Sequence, residues 1–175
     1  KNQRIHIHKV FKGIAQRGKC SMGWFFGFKL HLICNEKGEL LNFMITPGDI
    51  DDRKPLEYKA FIDFIYGKLF GDKGYIGKNL FQRLFVDGIQ LITKLKSNMK
   101  GALMSVSDRL LLRKRAIIET VNGELKNIAQ VEHSRHRCFD NFIVNLLGAI
   151  AAYCLFPKKP CINVQRTIDT QLVLF

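Results

Sequence analysis

The chain has 175 residues, 47% of them apolar with 14 Phe, enough for one domain with a real core and too apolar for a disordered polymer. Its 28 Lys and Arg against 15 Asp and Glu leave a net charge of +13, which attracts polyanions. No basic amphipathic helix or lipidation signal accompanies that charge, so a membrane surface is set aside and nucleic acid is the expected partner. In chain order, RIHIHKVF opens as a strand-like segment with His6 and His8 on one face, a face suited to DNA with Lys9 and Lys12 following. Residues 9–21 read as a basic loop. WFFGFKLHLICN (24–35) alternates and is rich in aromatic and branched residues, Asn35 to Gly38 is a turn, and ELLNFMITPGD returns, which predicts a β-hairpin. Trp24, Phe25, Phe26 and Phe28 are read as core and sheet-face residues ahead of base-stacking platforms.

Asp51 and Asp52 precede Pro55, and Leu56, Phe61 and Phe64 or Ile65 have helical spacing. Lys68 to Asp72 is a short apolar strand ending in an acid, Asn79 to Val86 a helix, and residues 89–95 a second short strand. Strand, helix, strand is a βαβ unit and predicts a parallel pair. Two helices follow, over about 106–129 and 139–156, joined by HSRHR (133–137). The architecture expected from the residues is a mixed α/β sheet with packed helices, a single domain over 1–175. Five cysteines without a C-x-x-C pair argue against a disulfide framework and fit a reducing cytoplasm. The longest apolar run, Phe142 to Phe156, is interrupted by Asn145 and too short to span a membrane, so it is read as a buried helix.

Two places carry chemistry. Acids at the carboxyl ends of strands in α/β sheets face the crevice where ligands bind, and Asp72 stands there within GDKGYIG. The alternative is that Asp72 only caps the turn that follows. The second place is RKRAIIETVNGELK (113–126), where a helix would carry Arg115, Glu119 and Lys126 on one stripe. One carboxylate between two cations suits a metal ion beside a phosphate, and equally suits an exposed ion pair. Two Mg²⁺ ions would need carboxylates from several elements. Asp72 and Glu119 are two such acids, and a third is not evident. In the 133–137 loop, His133, Arg135, His136 and Arg137 suit phosphate contact better than zinc, which so basic a loop would repel even with Cys138 beside it.

The D-x-G-Y text followed by R-x-x-x-E-x-x-x-x-x-x-K resembles the DDE transposases of bacterial insertion sequences, with Leu112 where that family has Tyr. The blocks SMGWFFGFKLHL, NFMITPGDIDDRKPL, GDKGYIG, GIQLITK, EHSRHR and NLLGAIAAYC are similar to insertion sequence family 982, over essentially the whole chain. The resemblance implies a ribonuclease-H-like mixed sheet with packed helices, the first core strand missing because it and its acid fall upstream of Lys1. It implies DNA as partner, a transposase dimer, cytoplasmic location, and two Mg²⁺ ions (Mn²⁺ as a substitute) held by an Asp, Asp, Glu set. Asp72 would be the second catalytic and metal-binding acid and Glu119 the third. Arg115 and Lys126 would contact DNA phosphates, with Asn122 on the same face. Asp49, Asp51 and Asp52 match the family's turn after the hairpin, where they form the turn and start a helix. With two of three acids, the chain alone is expected to bind DNA without cutting it. The alternatives are a non-catalytic basic DNA-binding remnant and a nuclease of the same fold.

Overall fold

The structure is a computed structural model and describes residues 9–20, 23–94, 104–131, 135–162 and 173–174. The strands are β1 (Gln16–Cys20), β2 (Gly23–Cys34), β3 (Leu40–Pro47), β4 (Gly67–Gly71), β5 (Ile89–Thr93) and β6 (Val173–Leu174). The helices are α1 (Lys59–Ile62), α2 (Lys78–Val86), α3 (Val106–Lys114), α4 (Ile117–Asn127) and α5 (Phe139–Cys154).

Side chains alternate between the faces of a strand, and here that alternation feeds two cores. Ile33, Leu69 and Leu91 join Leu56, Phe61, Ile62, Ile65, Leu80 and Leu84 in the first, against α1 and α2. Their immediate neighbours Cys34, Phe70 and Ile92 join Leu112, Ile117, Val121, Leu125 and Tyr153 in the second, against α3, α4 and α5. Helices therefore cover both sides of the strands. β1, β2 and β3 form an antiparallel sheet, and β5, β4 and β6 a parallel one, with Lys68 opposite Val173. The predicted hairpin and the predicted parallel βαβ unit are both present. The tyrosine hydroxyl of Tyr153 donates to the carbonyl of Gly38 at 2.6 Å, pinning α5 to the β2–β3 turn.

Several expectations are corrected. Gln16–Cys20, read as loop, is β1, paired with Gly23 to Gly27; its polar composition hid a strand that is exposed except at Ala15 and Gly18 beside or within it. Residues 56–65 do not form one helix. Lys54–Glu57 is a 3₁₀ turn, Tyr58 and Asp63 are extended, and only α1 lies between them. At 100° per residue an unbroken helix would point Ile65 about 180° away from Leu56, and both are buried in one core. The breaks let both reach it, and they leave Phe64 at φ +63° and 89% exposed.

The same geometry splits the predicted 106–129 helix. α3 buries Asp108 and Leu112, and α4 buries Ile117, Val121 and Leu125. Leu112 and Ile117 are five residues apart, so in one straight helix the two stripes would diverge by about 140°. The chain tightens at Arg115–Ala116, where Ile118 N–H donates to the Arg115 carbonyl and Glu119 N–H to that of Ala116, and both stripes meet the sheet. α5 is not buried all round: Leu146, Ala149, Ile150 and Tyr153 pack inward, whereas Val144 and Leu147 are exposed.

Candidate active site

β4 runs through both cores at Leu69 and Phe70 and delivers Asp72 just past its end. The Tyr75 ring packs over Gly71, where an added Cβ would come within 3.3 Å of it, so the turn after the strand is tight. Asp72 stands at the start of the 3₁₀ turn Lys73–Tyr75, but its side chain makes no capping hydrogen bond. Its Oδ1 lies instead 3.1 Å from a guanidinium nitrogen of Arg115. The pair is asymmetric: the Arg115 side chain is 22% exposed and that of Asp72 62%.

Arg115 reaches Asp72 because it occupies the α3–α4 kink. α3 is in turn fixed to β4 by an ion pair, Lys68 Nζ to Asp108 Oδ1 at 2.8 Å, and capped by Ser105, whose Oγ accepts from the Asp108 N–H. Four residues on, about 6 Å of helical rise, Glu119 lies exposed in the first turn of α4. Asn122 is half-buried on α4 and Lys126 exposed in its last turn. The predicted stripe is thus split: Arg115 belongs to the kink and turns to the sheet, whereas Glu119 and Lys126 stay on the helix. Arg135 and Arg137 are exposed and His136 half-buried ahead of α5. His133, His6 and His8 lie outside the described residues.

A second acidic group faces the same region. Burial, then the charges of Asp52, Asp72 and Asp51, raise the pKa of the Tyr75 phenol, which sits between the 49–53 turn and Asp72. Two of those turn acids are already engaged. Hydrogen bonds from the Arg53 side chain and backbone hold Asp51 well below the usual carboxylate range. Asp52 pairs with Lys29 at 2.9 Å, and Lys29 also donates to the Ile50 carbonyl at 2.7 Å. The turn acids are thus paired with Arg53 from within the turn and with Lys29 from β2.

The acids present do not fit a two-ion centre by themselves. Among the described residues no three His, Cys, Asp or Glu side chains come together as metal ligands. Asp72 is moreover neutralised by a guanidinium. Two Mg²⁺ ions need more oxygen donors than one engaged and one exposed carboxylate supply.

Fold and charge together define a basic, mixed α/β protein with a carboxylate, Asp72, just beyond the end of a parallel strand. The chain belongs to the transposase DDE domain family, whose profile matches residues 1–139 and so includes Asp72, Arg115, Glu119 and Lys126. That family's function is DNA transposition, with DNA as partner and divalent ions in general use. No curated protein and no solved structure matches the chain. Among the described residues no helix is long and apolar enough to cross a membrane.

Proposed function

We propose that the chain is the carboxy-terminal part of the catalytic domain of a bacterial insertion-sequence transposase of the insertion sequence family 982 type, with a ribonuclease-H-like sheet in a single domain over 1–175. Asp72 and Glu119 are two acids of its DDE set, and a strand preceding Lys1 brings the third. The completed set takes Mg²⁺, with Mn²⁺ as a substitute. The observation that carries this reading is the Asp72–Arg115 contact, which joins the strand tip to the α3–α4 kink four residues from Glu119, within the stretch that the family profile covers.

What these residues do by themselves is bind. Arg115 neutralises Asp72 in the DNA-free protein, and a phosphate competes for the same guanidinium. Lys126 and Asn122 contact phosphates, and so do His133, Arg135, His136 and Arg137. The protein acts as a dimer in the cytoplasm, cleaving transposon ends and joining them to target DNA once the third acid is supplied. A net charge of +13, which attracts DNA without any catalytic set, supports as a second reading a non-catalytic DNA-binding remnant.

The test begins with the 175-residue chain and duplex DNA. Binding is expected to weaken steeply with salt, with a log–log slope of about 0.9 per phosphate contact. A flat salt curve contradicts the DNA reading. Strand transfer by this chain alone overturns the incomplete-site reading. With the upstream strand restored, joining appears and is abolished by Asp72→Asn or Glu119→Gln with DNA binding retained. A restored chain that cuts but never joins is a nuclease, and one that does neither is a remnant.

A further inference from the structure

Gly74, two residues past Asp72, lines a cleft whose far wall the DDE set does not use. The cleft is an open hollow of about 490 Å³ and runs from Arg17, Lys19 and Trp24 on the β1–β2 hairpin to Gly74. Trp24 is 46% exposed, although it lies in the most aromatic segment of the chain. Register explains its position: Trp24 pairs across the sheet with Lys19 near the connected end of the β1–β2 hairpin, away from the helices that cover the other end of β2. Arg17 and Lys19, two residues apart on β1 and so on one face, both lie over the indole, with Arg17 Cζ at 4.2 Å and Lys19 Nζ at 5.7 Å from the ring centroid.

The other charges of the cleft largely cancel. Lys29 pairs with Asp52 and Arg53 with Asp51, which leaves Arg17 and Lys19 against Asp49. An exposed indole flanked by two cations at a cleft mouth is the chemistry of a stacking platform. The ring and the planar guanidinium offer faces to a base, and the charges suit the phosphates on either side of it. Inside a duplex those base faces are covered by neighbouring pairs, so the platform discriminates for an unpaired base.

We propose that the Trp24, Arg17 and Lys19 platform holds an unpaired nucleobase of a DNA strand whose neighbouring phosphates pass Asp72. The proposal rests on the DNA reading above and adds a preference for strand ends or distorted DNA over continuous duplex. Trp24 lies on a sheet face, as expected from the sequence, but outside the core, and the proposal takes up the base-stacking alternative for it.

Trp24 is the single tryptophan of the chain, so its emission reports on this site directly. The intact 175-residue protein is titrated with a fully paired duplex, the same duplex carrying one unpaired nucleotide, that duplex with an abasic residue in place of the unpaired nucleotide, and adenosine monophosphate. The expected result is quenching of Trp24 emission by the unpaired nucleotide only, with ~5- to 100-fold tighter binding than to the paired duplex, as one base–aromatic stack provides. Trp24→Ala removes that preference, and Trp24→Phe retains part of it. Equal quenching by the abasic probe overturns the proposal, and so does a preference that survives Trp24→Ala. Quenching by adenosine monophosphate at the same concentration overturns it in favour of a free-nucleotide site. The abasic comparison uses unmodified protein, so it holds even where a Trp24 variant misfolds. Duplex binding without any unpaired-base preference sinks this inference alone, whereas no DNA binding at all sinks the transposase reading with it.

Discussion

The parallel and antiparallel sheets bury their strands in different ways, and the difference shows where each can place chemistry. In β4 and β5, successive residues (Leu69 and Phe70, Leu91 and Ile92) enter opposite cores, so both faces are occupied and only the strand tip is left to act. Asp72 is at that tip. In β2, burial is graded along the strand: Ile33 and Cys34 are in the cores, whereas Trp24 at the other end is half-exposed beneath Arg17 and Lys19. A strand covered on both sides offers an end, while a hairpin that outruns its helices offers a face. The two meet in one cleft because Gly74, just past Asp72, lines the same hollow as Trp24.

The contrast can be broken most strongly in the doubly covered sheet. Leu84 is fully buried between α2 and the parallel strands, so Leu84→Ala is expected to cost about 2–5 kcal/mol by denaturant unfolding, against less than ~1 kcal/mol for Trp24→Phe. Equal losses would refute the graded-burial picture. Next comes Asp108→Ala, which strands the Lys68 ammonium in a half-buried position beside β4 and should cost about 1–3 kcal/mol. The double variant with Lys68→Met should recover part of that loss, and a simple sum of the two would rule out the coupling. Tyr153→Phe leaves the Gly38 carbonyl without its donor and should cost ~1 kcal/mol in an unfolding titration.

The smallest effect belongs to His31 in β2. Its Nε2 lies 2.9 Å from Thr46 Oγ1, and burial lowers its pKa, partly opposed by Asp52 and reinforced by Lys29. The unfolded chain then takes up a proton near pH 6.5 before the folded protein does, so stability is full above that pH and declines as the pH falls towards the folded value. Unfolding curves between pH 7.5 and pH 5 should therefore show a decline that His31→Gln flattens. An unchanged slope in the variant would remove His31 from the acid limb. Cys34, pushed up to about 12 by burial, should stay unreactive towards thiol reagents that label exposed Cys20 and Cys154 in the folded protein.

Periodicity made the β2–β3 hairpin, the β4–α2–β5 unit and α5 legible, because each pattern repeats over many residues and answers to one burial direction. Charge made a polyanion partner legible for the same reason, being a sum over the chain. β1 was not legible. QRGKC looks like loop until the aromatic strand beside it supplies backbone partners and an indole for its cations. Asp72 was visible as an acid at a strand tip and Arg115 as a cation near Glu119, but their contact was not, since 43 residues separate them and the kink between α3 and α4 creates the approach.

By itself, then, the sequence determined the order and type of the main elements, the basic surface and the spacing of Asp72, Arg115, Glu119 and Lys126, for these are properties of neighbours along the chain. Tertiary structure alone decided where helices break, which side chains share a cleft, and that Asp72 is held by Arg115 instead of capping its own turn. Those outcomes depend on two cores being filled at once from opposite faces of the same strands. At Tyr58, Asp63 and Arg115 the chain leaves regular helix, so that buried stripes on either side both reach the sheet.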